Sequence, residues 1–196
     1  MSTQIRQQVD RASTVASVAV FAAVIVALGA IFIPIPFSPV PITGQTLGIL
    51  LAANILGPRK ATATVLLVLG LAAVGIPVLA GGRGGIGVLF GASGGYFLGW
   101  VIVSVVLGLL TSRLSNNQRG LALRLLFNVT FGVFLVYLPG VPWLCYITDR
   151  PLSEGIAVGM TPYLLGDVVK AVIAALAAQA ILRSYRARYQ MGLVKK

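Results

Sequence analysis

The chain has 196 residues, of which 58% are hydrophobic and 10% charged, against about 25% charged in a typical soluble domain. Its mean hydropathy is +0.96, so polar surface cannot cover a protein of this size and lipid must. The net charge of +11 does not point to nucleic acid, because the basic residues sit at the two ends and in short connections rather than along one face.

No histidine, one cysteine (Cys145) and four carboxylates (Asp10, Asp149, Glu154 and Asp167) are present. An internal disulfide, thiolate or imidazole metal cages and histidine-based acid/base chemistry are therefore excluded. The composition predicts an all-α polytopic membrane protein that forms one domain over residues 1–196.

Residues 1–12 are polar. An apolar run over 13–33 is long enough to span a bilayer by the ~20-residue rule. Five further apolar segments argue that it is a retained helix rather than a cleaved signal. Four prolines between positions 34 and 41 exclude helix there. A second segment covers 44–56 and stops at Gly57-Pro58-Arg59-Lys60, a helix-ending signal with a cationic flank. A third covers 61–75.

A glycine-rich stretch follows, read as a re-entrant loop between the third and fourth spans. The fourth span covers 93–112, the fifth 121–138 and the sixth 161–182. The fifth is expected to end before Pro139, leaving a loop over 143–160.

Charge bias supports six spans with both termini in the cytoplasm. Placed so, the inner segments hold twelve cations: Arg6, Arg11, Arg59, Lys60, Arg113, Arg119, Arg124, Arg183, Arg186, Arg188, Lys195 and Lys196. The outer segments hold two, Arg83 and Arg150. An odd number of spans would break this positive-inside pattern.

Asp167 and Lys170 lie within the sixth span. Charges at bilayer depth cost ~2.5–3.5 kcal/mol each on insertion scales and mark candidate functional sites. Spacing of three puts both on one helical face, with Lys170 about 13 Å in from the start of the span. Two readings stand: a self-neutralising structural pair, or the polar floor of a ligand site. In the second, Lys170 meets an anionic group and Asp167 accepts from N–H donors.

Gly82, Gly84 and Gly87 spell G-x-G-x-x-G, but no βαβ pattern or following acidic residue supports dinucleotide binding. Gly82, Arg83, Gly84 and Gly85 instead suggest a backbone that turns sharply and approaches a ligand, or a plain outer loop. Gly91, Gly95 and Gly99 form a small-residue register suited to close helix packing, with Tyr96 in the same turn and free to stack on a ligand. Gln45 and Thr46 stand near the outer mouth. Asn128 and Gln179 are lone polar residues expected to hydrogen-bond between helices. Ala12, Ala16, Ala19, Ala23, Ala27 and Ala30 make a narrow ridge on the first span, fit for internal packing or for docking a partner helix.

The order of several motifs resembles the biotin transporter substrate-binding subunit, the S component of energy-coupling-factor (ECF) vitamin importers. They are Pro41-Ile42-Thr43-Gly44-Gln45-Thr46-Leu47, Leu56-Gly57-Pro58-Arg59, the run from Gly81 to Gly91, and Gly94-Gly95-Tyr96-Phe97-Leu98-Gly99. Tyr137-Leu138-Pro139-Gly140-Val141-Pro142-Trp143-Leu144 and Gly166-Asp167-Val168-Val169-Lys170 complete the set, which covers nearly the whole chain.

The resemblance implies a six-helix cell-membrane subunit that is not an enzyme and has no cofactor. It captures biotin from outside and docks on a transmembrane coupling (T) subunit with a pair of ABC-type ATPases. It implies biotin contacts at Asp167, Lys170 and Tyr96, with the Gly82–Gly85 loop and Gln45 as lid and wall. It also implies that Ala16, Ala19, Ala23 and Ala27 form the docking surface. The sequence departs from the pattern at Arg83, which either reaches the biotin carboxylate or points to solvent.

Two other functional classes compete with this one. A solitary vitamin carrier is the alternative, since no Walker A motif is present and active uptake would need a partner. An intramembrane lipid-modifying enzyme is disfavoured by a single intramembrane carboxylate and no histidine.

Overall fold

A computed structural model describes residues 3–190, and the side chains of 3–6, 9 and 186–190 lie outside the description. The cations Lys195 and Lys196 and the side chains of Arg6, Arg186 and Arg188 therefore fall outside it. The elements are α1 (Thr3–Leu28), β1 (Phe32–Ile35), β2 (Ser38–Thr43), α2 (Gln45–Ala73), α3 (Ile86–Leu89) and α4 (Gly94–Ser112). They continue with α5 (Gln118–Phe127), a π-helical turn Asn128–Gly132, α6 (Val133–Thr148), α7 (Leu152–Gly159) and α8 (Thr161–Gln190).

Among the described residues, five helical runs are long and apolar enough to cross a membrane: Asp10–Leu28, Gln45–Ala73, Gly94–Ser112, Gln118–Thr148 and Thr161–Tyr185. The second run is two legs. Gly57 has φ 74° and ψ 178°, outside the helical region, and is followed by Pro58. The chain reverses at this elbow. Gln45, at one end, bonds to Val78 and Ala80, while Ala72, near the other, accepts from Gly85 at 2.7 Å. Both ends of α2 thus meet the same loop. The elbow lies against Gly108 of α4, where a Cβ would come within 2.7 Å of the Pro58 Cα.

Three expectations need correction. The first apolar run is helical from Thr3, inside the segment read as a polar terminus, and stops at Leu28. Between the first two spans, residues 32–43 form an antiparallel hairpin pairing Phe32 with Thr43 and Ile33 with Ile42, a small addition to a fold that is mostly helical as expected. The fifth span continues through Pro139 and Pro142 to Thr148. Prolines end helices in water because they strand carbonyls, but a packed membrane helix tolerates them where neighbours and local adjustments satisfy the freed groups. The expected loop over 143–160 is therefore the end of α6 followed by α7.

Small residues set the packing. A Cβ on Gly99 would come within 2.8 Å of the Val136 backbone, and one on Gly48 within 2.9 Å of Ile25. These close approaches join α4 to α6 and α1 to α2. Trp143 locks the first pair by donating its indole N–H to the Gly91 carbonyl at 2.9 Å. On α1, Ala22, Ile25 and Gly29 face the bundle, while Ala16, Ala19, Ala23 and Ala27 are all exposed. The alanine ridge is not used inside this chain.

One end of the bundle is basic, holding Arg59, Lys60, Arg113, Arg119 and Arg183. Just inside it, Arg124 is 1% exposed. Its guanidinium donates to the backbone carbonyl and to Oδ1 of Asn54, both at 3.2 Å. Pro58 has no N–H to offer that carbonyl four residues back, so a neighbouring helix caps the leg. A cation at a helix C-terminus also opposes the negative end of its dipole. Asn128 completes the cluster by exchanging bonds with Asn54 at 2.8 and 3.1 Å. Gln179 likewise bridges, to the Asn117 carbonyl at 3.2 Å.

Candidate binding site

The opposite end holds a cavity of about 60 Å³. Its floor is the charged pair. The Lys170 ammonium lies 2.6 Å from Asp167 Oδ1, and both side chains are 16% exposed. Lys170 also donates to the Thr43 carbonyl at 2.9 Å and to Thr46 Oγ1 at 3.1 Å. An ammonium has three N–H donors, and these three oxygens match them. Tyr137 donates its hydroxyl to Asp167 Oδ2. Each carboxylate oxygen thus receives one protein donor and keeps further lone-pair capacity for a ligand.

The walls are mostly apolar and aromatic: Val40, Phe97, Trp100, Val136 and Tyr163 contribute, with Tyr96. Tyr96 is held by a hydrogen bond to the Gly159 carbonyl at 2.8 Å and meets Tyr137 edge to face at 6.2 Å. Gly140 allows this, since a Cβ there would collide with the Tyr96 ring. Tyr163 ties α8 to the hairpin through Ser38 Oγ at 2.7 Å and the Val40 carbonyl.

The roof is the irregular segment between α2 and α3, where Leu79 pairs with Arg83 in an isolated bridge. Gln45 fastens it: its amide donates to the Val78 carbonyl at 3.0 Å, and its oxygen accepts from the Ala80 N–H at 2.9 Å. Arg83 lines the cavity mouth. Its Nε bonds to the Ala80 carbonyl at 3.1 Å, and its guanidinium lies 6.0 Å from the Phe32 ring centroid. Partial burial lowers the Arg83 pKa from its ordinary value.

Of the residues singled out in the sequence, Asp167, Lys170, Tyr96, Arg83 and Gln45 meet at this cavity. Gly82, Gly84 and Gly85 do not line it. They shape the roof instead: Gly82 and Gly85 have positive φ, and a Cβ on Gly84 would strike the Ile76 carbonyl. Tyr137, Tyr163, Trp100 and Ser93 line the cavity without having been singled out. Tyr137 carried no local signal beyond its place in the family motif, because a membrane-span tyrosine looks like any other aromatic until its partner is known.

The BioY family profile matches residues 1–187. The chain belongs to the BioY family. It is 40% identical over 172 residues to the biotin transporter BioY of Rhizobium etli, covering 85% of this chain and 91% of that protein. It is 39% identical over 171 residues to the probable biotin transporter BioY of Bacillus subtilis, covering 85% and 89%. The crystal structure of an S-component for biotin from an ECF-type ABC transporter superposes with a TM-score of 0.79. That match has 32% identity and covers 93% of this chain and 95% of the other. As a BioY family member with several apolar helices, the chain is a multi-pass membrane protein.

Proposed function

We propose that this protein is the membrane-embedded subunit that captures biotin from the outer side of the cell membrane for import. Its six helical legs would place both termini in the cytoplasm. The observation that carries the reading is Asp167, held between Lys170 and Tyr137 at the floor of an otherwise apolar cavity. Biotin combines a ureido group with N–H donors and an acceptor, an apolar ring and tail, and a carboxylate. A fixed acceptor, aromatic walls and a cation at the mouth suit those parts in that order.

In this pose the ureido N–H groups meet the free lone pairs of Asp167. The ring and tail lie against Phe97, Trp100 and Val136, and the carboxylate reaches Arg83. Lys170 orients Asp167 while holding the junction of β2 and α2. A cavity of about 60 Å³ is smaller than the ~150 Å³ that admits benzene in an engineered protein core. Biotin binding therefore moves a wall, and the irregular roof over 78–83 is the part with least regular support.

The exposed Ala16, Ala19, Ala23 and Ala27 support docking on a transmembrane coupling subunit with an ABC-type ATPase pair, because small residues let a partner helix approach closely. Calorimetric titration of purified protein is the test. Wild type binds biotin, and Asp167→Asn and Lys170→Ala each weaken it more than tenfold. A wild type that ignores biotin but takes another vitamin would sink the ligand and spare the class. Co-purification with the ATPase pair separates the subunit from a solitary carrier.

A further inference from the structure

The hairpin at the cavity end exposes apolar side chains: Ile31 and Ile33 are each 54% exposed and Phe37 59%. No residue from 12 to 58 carries a formal charge, so the hairpin has no charged side chain of its own to guard this surface. A two-stranded hairpin has two open edges, which in water invite pairing with other chains unless charges or other devices block them. Here the device is proline. Pro34, Pro36, Pro39 and Pro41 remove four N–H donors from β1, β2 and their turn. Fewer unpaired donors lower the cost of leaving bulk water.

The helix that leads into the hairpin is also apolar and exposed, with Val15 at 68% and Val20 at 60% on α1. The hairpin's other face is fixed inward. Val40 is buried, Thr43 gives its carbonyl to Lys170, and Tyr163 grips Ser38 and Val40.

From these observations we infer that the hairpin Phe32–Thr43 lies in the bilayer interface, with Ile33 and Phe37 among the upper acyl chains. Hydrocarbon depth is excluded, because a lipid-exposed sheet edge has no partner there. Headgroup water serves the remaining carbonyls. The wall of the cavity formed by β2 is therefore bounded on its far side by lipid rather than by water. The placement does not depend on the identity of the ligand.

The test uses protein in phosphatidylcholine/phosphatidylglycerol vesicles. In a Cys145→Ala background a nitroxide is attached at Phe37→Cys, at Val20→Cys as the lipid reference and at Gln118→Cys as the water reference. Power saturation then compares collision with oxygen and with a water-soluble nickel chelate. At position 37 oxygen dominates, as at position 20. Nickel access equal to that at position 118 overturns the inference, and so does exclusion of both reagents, which would mean protein cover. A second measurement needs no substitution. A lipid-borne carbene probe labels residues 31–37 of the unaltered chain, and labelling confined to 12–28 overturns the inference.

Discussion

Two charged clusters sit inside this bundle, and they solve the same problem differently. At the cavity end Lys170 faces a carboxylate, and that carboxylate keeps acceptor capacity towards open space. At the basic end Arg124 has no carboxylate beside it among the described residues and is satisfied by Asn54. Its buried Nε lacks a partner, and Arg124 is not among the residues that line the cavity at the other end. Burial of a charge is thus not itself a sign of ligand binding. The sign is hydrogen-bonding capacity left over and pointed at free space.

Substitutions can break this contrast. The largest effect is expected from Asp167→Asn, which removes the charge paired with Lys170 and reshuffles its acceptors. Breaking a buried pair costs ~3–5 kcal/mol, and at 16% exposure solvent reduces that. A biotin affinity loss of about 100-fold by calorimetry, equivalent to ~2.7 kcal/mol, is the expected result.

Next, Arg124→Leu strands the Asn54 carbonyl, leaves Asn54 Oδ1 with Asn128 as its one donor, and lowers stability by ~1–3 kcal/mol in detergent unfolding. The biotin affinity of the folded fraction changes by less than about twofold. An affinity loss as large as that of Asp167→Asn would erase the distinction between the clusters.

Tyr137→Phe removes one hydrogen bond to a carboxylate, worth ~1.5–3 kcal/mol when charged. Part of this appears as a roughly tenfold weaker affinity. Smallest is Arg83→Gln at the half-exposed mouth, expected to weaken biotin about fivefold, ~1 kcal/mol. With Arg83 on the carboxylate, as proposed, biotin amide should be indifferent to this change, whereas Asp167→Asn should weaken both ligands alike. Equal Arg83→Gln losses for both ligands would remove Arg83 from the carboxylate.

The legible part of the fold followed from strong, local signals. Gly57-Pro58 marked the elbow because a glycine with positive φ and a residue without an N–H interrupt any helix. The same reasoning misplaced the end of the fifth span, since Pro139 and Pro142 lie within α6. At the site, Asp167 and Lys170 stood out because charge inside an apolar run is conspicuous. The glycines around Arg83 were also conspicuous, but their role is to bend the roof rather than to line the cavity.

By itself the sequence determined that the chain lives in lipid, which face of the sixth span carries the charged pair, and the family to which its motifs belong. Those follow from composition, helical periodicity and order along the chain. Only the tertiary structure decided that Tyr137 holds Asp167, that Arg124 caps a leg at Asn54, 70 residues earlier, and that the alanine ridge faces outward. Each depends on which helices become neighbours. That is settled by close packing of small residues across the whole bundle, information no single segment contains.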